Sequence, residues 1–340
     1  MELEEFMAEW NNSEDSVLVH TSGSTGRPKP MWAEKQRMLN SARITCDFLD
    51  LHEGDNALLC MPLDYIAGKM VVVRSIERAM NLISVPPSNH PLGDLLDMPD
   101  LTIHFAAMVP SQVFCSLQVP GERALLRRIR HLIIGGGAIS PSLARELHDL
   151  FTPGECRDHF IWSTYGMTET LSHIALRRLN GPEADEWYTP FESVNVSLNH
   201  DGCLVIDAPL VHEGILTTND IAEIKSVDGT NRFRIIGRKD NVICSGGIKL
   251  QIEEIEARLR PFLQNADEAE PTFCISKRTD EKFGEVAVLI VTNDIPQDFD
   301  FKSTFVHLDH YAIPKQIIRT DSIPLTKTGK IDRRKCEEII

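Results

Sequence analysis

No apolar run in this 340-residue chain approaches the roughly 18 or more residues that a membrane-spanning helix needs. The acidic opening MELEEFMAEW has neither a basic n-region nor a signal core. Membrane insertion is therefore not expected, and a cytoplasmic location is. The eight cysteines (46, 60, 115, 156, 203, 244, 274 and 336) include no CxxC pair and have no nearby histidine at metal-ligand spacing, so neither a zinc site nor a disulfide framework is indicated. A net charge of −15 and the lack of a basic stripe interleaved with aromatics argue against nucleic acid as a partner. An anionic ligand must be held by local groups. The densest basic run, RALLRRIRH (Arg123 to His131), has apolar residues at helical spacing and reads as a solvated helix face.

What is present is an ordinary globular composition, 42% hydrophobic and 25% charged. Strand-like runs alternate with amphipathic helical stretches: SVLVHT, KQRMLNSARITCDFLD, NALLCMP, AGKMVVVRSIERAM, NLISVP, LTIHFAA, RHLIIGGG with a helix from about Ser140, and HFIWSTYG. Strands joined by crossover helices form a mixed or parallel sheet. From about Ser193 short alternating strands with turn signals replace this texture. The expected fold is thus a large α/β domain, residues 1–239, with a small β-rich subdomain at about 193–239, followed by a small α+β domain, residues 240–340. In the latter, KLQIEEIEARLRPFL reads as a helix ended at Pro261, TFCISK and VAVLIVT as strands, and a last helix starts near Asp332.

Near the N-terminus, HTSGSTGRPKP combines two glycines that permit tight turns, the hydroxyls of Thr21, Ser22, Ser24 and Thr25, and the charge of Lys29. These are the groups of an anion cradle, but the G-x-x-x-x-G-K-[ST] spacing of a P-loop is not met. Alone, the stretch could equally be a polar hairpin. STYGMTET (Ser163 to Thr170) adds an aromatic ring, a glycine, threonine hydroxyls and the carboxylate of Glu169, suited to stacking a base, bonding a phosphate and ligating Mg2+. IIGGGAIS (Ile133 to Ser140) ends a strand in three glycines. TTND carries Asp220, GRKD carries Arg238 and PLTKTGKIDR carries Lys330.

The order and wording of these five motifs, from Thr21 to Lys335, resemble the adenylate-forming superfamily of acyl- and aryl-CoA ligases, luciferases and peptide-synthetase adenylation domains. The resemblance implies that the loop of Thr21, Ser22, Gly23, Ser24, Thr25, Gly26 and Lys29 holds the β- and γ-phosphates of ATP. Gly135, Gly136, Gly137 and Ala138 would line the adenine site, and Tyr165, followed by Gly166, would stack on the base. It further implies Thr168 at the α-phosphate, Glu169 on Mg2+, Asp220 and Arg238 on the ribose, Asp240 as a hinge and Lys330 as the catalytic lysine. Gly246 and Gly247 would let coenzyme A pass close to the backbone, though an ordinary hairpin turn explains the pair as well.

The implied reaction joins a small-molecule carboxylate to AMP and then to coenzyme A. Members of the superfamily usually have a substantial subdomain before the phosphate loop, and only twenty residues precede Thr21 here. The fold is therefore expected to lack much of that subdomain, and a homodimer is left open. MPLDYIAGKMVVVRSI resembles the corresponding segment of the o-succinylbenzoate:CoA ligases of menaquinone biosynthesis, with Tyr65 where a histidine is usual. That acid keeps a second carboxylate after activation, and Lys69 or Arg74 would supply its cation; the plain alternative for either is a snorkelling surface residue. The rival readings are another acyl- or aryl-CoA ligase, a carrier-protein adenylation domain, and a catalytically silent nucleotide-binding protein.

Overall fold

The computed structural model describes residues 1–20, 30–98, 100–151, 155–264, 271–326 and 330–340. They form two compact units. Unit 1 comprises Met1–Ser197, Val205–Leu216 and Ile224–Arg234, and unit 2 comprises Leu198–Leu204, Thr217–Glu223 and Ile235–Ile340.

In chain order the first half contains α1 (Leu3–Trp10), β1 (Ser16–His20), β2 (Pro30–Glu34), α2 (Lys35–Phe48), β3 (Asn56–Leu59), α3 (Ile66–Arg78), β4 (Asn81–Ser84), β5 (Ile103–Met108), α4 (Pro110–Gln118), α5 (Pro120–Leu126), β6 (Ile129–Ile134), α6 (Pro141–Asp149), β7 (Phe160–Gly166), β8 (His173–Arg178) and β9 (Thr189–Pro190). Seven of these strands make one sheet in the order β4-β3-β5-β6-β7-β8-β9. Strands β4 to β7 run parallel, with β8 and β9 antiparallel at one edge. Burial on both faces explains why the parallel strands read as nearly continuous apolar runs, with Phe105, Ala106, Leu132 and Ile134 all buried. The strand order turns back between β3 and β5, and in such sheets ligands bind at the carboxyl ends of the strands near that reversal.

The second half contains β10 (Asn195–Leu198), β11 (Cys203–Asp207), β12 (Ile215–Val227), β13 (Thr230–Arg238), β14 (Val242–Ser245), β15 (Ile248–Gln251), α7 (Ile252–Leu263), β16 (Phe273–Asp280), β17 (Gly284–Thr292), α8 (Phe301–Phe305), β18 (Gln316–Thr320) and α9 (Arg333–Glu338). Strands β10 to β13 lie side by side in chain order. In unit 2, β15-β14-β17-β16 form a sheet to which β18 adds by parallel pairing with β17. Its core of Ile243, Ile255, Leu259, Leu263, Phe273, Leu289 and Val291 is fully buried. The fold is α/β with mixed sheets and a smaller α+β part, as the alternation of runs leads one to expect.

Two local expectations differ from the structure. The basic run Arg123 to His131 is not one helix face: α5 ends at Leu126, and Ile129–His131 opens β6, which pairs with β5 through Ile103 and Ile129. Sheet pairing overrides the helical spacing of its apolar residues. Pro261 does not end α7, which runs on to Leu263 because that side chain is buried in the core and holds the last turn. No helix among the described residues is long and apolar enough to cross a membrane.

Candidate functional site

Unit 1 gathers several expected residues at the carboxyl ends of its parallel strands. The glycines after β6 approach their neighbours too closely for a side chain: a Cβ at Gly135 would lie 2.4 Å from Thr164 Oγ1 of β7. Gly136 has φ +77°, and a Cβ there would lie 3.2 Å from Val109, just beyond β5. The Gly135–Ala138 turn and the Thr164–Gly166 end of β7 are therefore one neighbourhood. Within it the Tyr165 ring meets Phe233 edge-on at 5.0 Å and Tyr188 at 5.8 Å, and Ser163 Oγ is 2.8 Å from the Tyr188 hydroxyl.

A short turn, Thr168–Thr170, follows β7. Thr168 is buried, and among the described residues the carboxylate of half-buried Glu169 makes no hydrogen bond or ion pair, leaving its oxygens available to a cation. No cluster of three or more His, Cys, Asp or Glu side chains fit for a metal occurs among the described residues. A single free carboxylate suits Mg2+ brought in on a nucleotide, because Mg2+ takes one or two protein carboxylates together with phosphate oxygens and water. Next comes Leu171 with φ +63°, a conformation that costs a non-glycine residue on the order of 1 kcal/mol and is found where surrounding structure enforces it. It delivers Ser172 and His173 against Gly166, where an added Cβ would fall 2.2 Å from the Ser172 carbonyl oxygen.

Half-buried Tyr65 directly precedes helix α3, and its carbonyl accepts from the Lys69 amide. Gly68 lies so close to Pro62 that an added Cβ would be 2.4 Å from its carbonyl oxygen. Lys69 and Arg74 are 1% and 2% exposed, so neither is a snorkelling surface residue. Lys69 Nζ donates to Glu9 Oε2 at 3.2 Å and lies 4.7 Å from the Phe6 ring centre, so its charge is neutralised inside the unit. Arg74 differs. Its Nη2 donates to Ser172 Oγ at 2.5 Å and more weakly to Thr45 Oγ1 at 3.4 Å, its guanidinium lies 5.7 Å from the Phe105 ring centre, and its Nε has no partner. No carboxylate pairs with it among the described residues, and burial pushes the guanidinium down to about 10. His173 touches both of those hydroxyls, Nδ1 at 3.2 Å from Ser172 Oγ and Nε2 at 3.1 Å from Thr45 Oγ1. Burial, reinforced by the charge of Arg74, holds His173 well below the usual histidine range, so it is neutral.

Unit 2 brings together Asp220, Arg238, Asp240 and Lys330. Thr218 Oγ1 donates to the Leu204 carbonyl and accepts from the Asp220 amide at 3.0 Å, which fixes the end of the TTND segment. Arg238 then bridges two carboxylates, Nη1 to Asp220 Oδ1 at 2.9 Å and Nη2 to Asp240 Oδ2 at 2.8 Å. Lys330 is held by a tight closure in which its carbonyl accepts from the Thr326 amide at 2.7 Å and its own amide donates to Thr326 Oγ1 at 3.2 Å. Burial lowers its pKa, Asp220 opposes this and Arg238 adds to it, so all three groups share one electrostatic environment. With the pKa lowered, Lys330 loses its charge, as pH rises, before an ordinary lysine would.

Gly246 and Gly247, with φ +58° and +83°, form the two-residue turn of the β14–β15 hairpin, in which Ser245 pairs with Ile248. Positive φ at both positions is what a type I′ turn demands, and the hairpin explains the pair locally. Thr21, Ser22, Gly23, Ser24, Thr25, Gly26 and Lys29 lie outside the described residues. A separate cavity of about 490 Å3 in unit 1, between Phe48, Trp162, Arg177, Trp187 and Arg232, is lined by none of the expected site residues.

Sequence reasoning missed Glu9, Thr45, Ser172 and His173. The first two are 60 and 29 residues from their partners Lys69 and Arg74, and no local pattern joins them. Ser172 and His173 left a fainter trace, a polar pair directly after STYGMTETL and ahead of the apolar IAL of β8.

Comparison with known proteins identifies the family and the fold. The model of a family described as AMP-binding enzyme matches residues 3–211. A 2-succinylbenzoate–CoA ligase from Listeria monocytogenes is 25% identical, over 98% of this chain and 72% of its own length. An AMP-forming acyl-CoA synthetase/AMP-acid ligase II-like protein from Dyadobacter fermentans is 32% identical, the match covering 99% of this chain and 93% of that one with a TM-score of 0.63. The o-succinylbenzoate coenzyme A synthetase from Bacillus subtilis, solved with ATP and magnesium ion, shares the fold at a TM-score of 0.73, with 21% identity over 94% of this chain and 69% of that one.

Proposed function

The chain belongs to the AMP-binding enzyme family, and from that premise we propose that it is an acid–thiol ligase that converts o-succinylbenzoate to its coenzyme A thioester through an acyl-adenylate. Its substrates are ATP, the dicarboxylic acid and coenzyme A. In the first half-reaction a carboxylate oxygen of the acid attacks the α-phosphorus of ATP and the bond to pyrophosphate breaks. In the second, the thiol sulfur of coenzyme A attacks the acyl carbon and AMP leaves with the bonding electron pair.

Each unit carries residues suited to this. In unit 1, Gly135, Gly136, Gly137 and Ala138 admit a planar base, Tyr165 with Gly166 stacks on it, and Thr168 hydrogen-bonds the α-phosphate. Glu169 would hold Mg2+, which when bound offsets the negative charge of the phosphates. In unit 2, Asp220, steadied by Arg238, accepts from the ribose hydroxyls, and Lys330 stabilises negative charge that develops on the phosphoryl and carboxylate oxygens. The Gly246–Gly247 turn presents bare backbone along which pantetheine can run.

The observation that carries the choice of acid is Arg74. A buried guanidinium without a carboxylate is costly, since an ion taken from water loses several kcal/mol of solvation unless it is paired. Its one strong partner, Ser172, is three residues from Glu169 and packs on Gly166. An acid with a spare carboxylate completes Arg74, a monocarboxylic acid leaves it bare, and Lys69 is already satisfied by Glu9. The test is pyrophosphate release over a panel of carboxylic acids, with and without coenzyme A. o-Succinylbenzoate is expected to lead the panel, thioester is expected only with coenzyme A, and Lys330→Ala is expected to abolish most of the release. Stronger activity with benzoate or a short-chain acid would favour the broader acyl- or aryl-CoA ligase reading.

A further inference from the structure

Thr45, Ser172 and His173 enclose the guanidinium of Arg74, and one consistent assignment of donors joins all four side chains. Thr45 Oγ1 donates its only proton to the Ser41 carbonyl at 3.1 Å. With that proton so placed it accepts from His173, whose imidazole proton is then assigned to Nε2. Neutral His173 then has a bare Nδ1, and that atom accepts from the hydroxyl of Ser172. With its proton committed to His173, Ser172 Oγ turns its lone pairs to Arg74 Nη2 at 2.5 Å. At the end of this network the guanidinium is gripped, among the described residues, through Nη2, and its other donors remain for an anion.

We propose that His173 is a positioning residue: through Ser172 it orients the Arg74 guanidinium so that the enzyme selects acids carrying a second carboxylate. The inference rests on the reading of Arg74 as the partner of that carboxylate. His173 itself touches neither the acid nor the nucleotide. If its ring nitrogens were lost, the Ser172 hydroxyl would be free to rotate, its proton could swing toward Arg74 in place of a lone pair, and the guanidinium would lose its fixed direction. His173 is 7% exposed and lies 5.5 Å, ring centre to ring centre, from Phe191, so a phenyl ring can fill its place without opening a cavity.

The test compares o-succinylbenzoate with a monocarboxylate analogue that is still adenylated. His173→Phe is expected to raise KM for the dicarboxylate about 10-fold, as expected for weakening a charge-assisted hydrogen bond, while kcat and the KM of the analogue move less than about 2-fold. His173→Asn, which keeps an acceptor near the position of Nδ1, is expected to restore most of the lost affinity. Ser172→Ala, a small change at a half-buried site, is expected to reproduce the His173→Phe phenotype and not to add to it in the double variant. It carries the test if His173→Phe does not fold. An unchanged dicarboxylate KM in both variants overturns the inference, as does an equal rise for both acids, which would mark a packing role only. Arg74→Met separates the two levels: if it does not discriminate between the acids, the reading of Arg74 fails, whereas if it does and the His173 and Ser172 variants do not, only the positioning role fails.

Discussion

Two buried cations on helix α3, five residues apart, have opposite surroundings. Lys69 has Glu9 against its ammonium and the Phe6 ring beneath it, whereas Arg74 has hydroxyls, a neutral imidazole and, among the described residues, no acid. Lys69 is a closed account electrostatically: the charge and its counter-charge both belong to the chain. Arg74 is open, and in the proposed reading the acid supplies the missing half. On that reading, burial alone does not mark a cation as functional; burial without a counter-ion does.

The largest expected effect follows from making Lys69 resemble Arg74. Glu9→Gln leaves a buried ammonium unpaired and is expected to cost about 3 kcal/mol of stability by denaturant unfolding, the low end for breaking a buried pair, because Glu9 itself is partly solvated. Next, Arg74→Met removes the open charge. The KM for o-succinylbenzoate should rise about 100-fold, the upper range for a charge-assisted hydrogen bond, with no loss of stability, because a desolvated charge is replaced by an apolar side chain. Arg74→Lys should fall between, about 10-fold in KM, since an ammonium keeps the charge but not the planar fork that binds a carboxylate in two places. The smallest effect is expected of Lys69→Met, about 1 kcal/mol of stability and an unchanged KM, because Glu9, with a side chain 24% exposed, can turn to water. A rise in KM for Lys69→Met, or a collapse in stability for Arg74→Met, would reverse the roles assigned to the two residues.

How legible this was in the sequence follows the range of the interactions concerned. Alternating apolar runs, the triple glycine before a helix and the Gly246–Gly247 turn are local, and the structure places each where its spacing leads. The N-cap at Ser140, whose side chain accepts from the Leu143 amide, is local too. Arg123 to His131 was misread because helical spacing is a local signal and the pairing of Ile129 with Ile103 is not. Pro261 was misread for the same reason, since Leu263 is drawn in by core packing that a proline rule does not see. The candidate cations could be named from their helix, but choosing between them needed Glu9, 60 residues away, and Ser172, 98 residues away. The grouping of Asp220, Arg238 and Lys330 likewise joins segments more than ninety residues apart, and only their motif order hinted at it.

The central claim is that the charge of Arg74 is kept for the second carboxylate of the acid and not for the fold. Thermal unfolding of the wild-type chain and of Arg74→Met, each alone and with saturating o-succinylbenzoate, tests it most directly. At about 100 times Kd a ligand stabilises by about 2.7 kcal/mol. The account predicts an upward shift of Tm for the wild type, little shift for the variant at the same concentration, and no lower Tm for the variant without ligand. A variant that unfolds at a lower temperature yet keeps the full ligand-induced shift would contradict it.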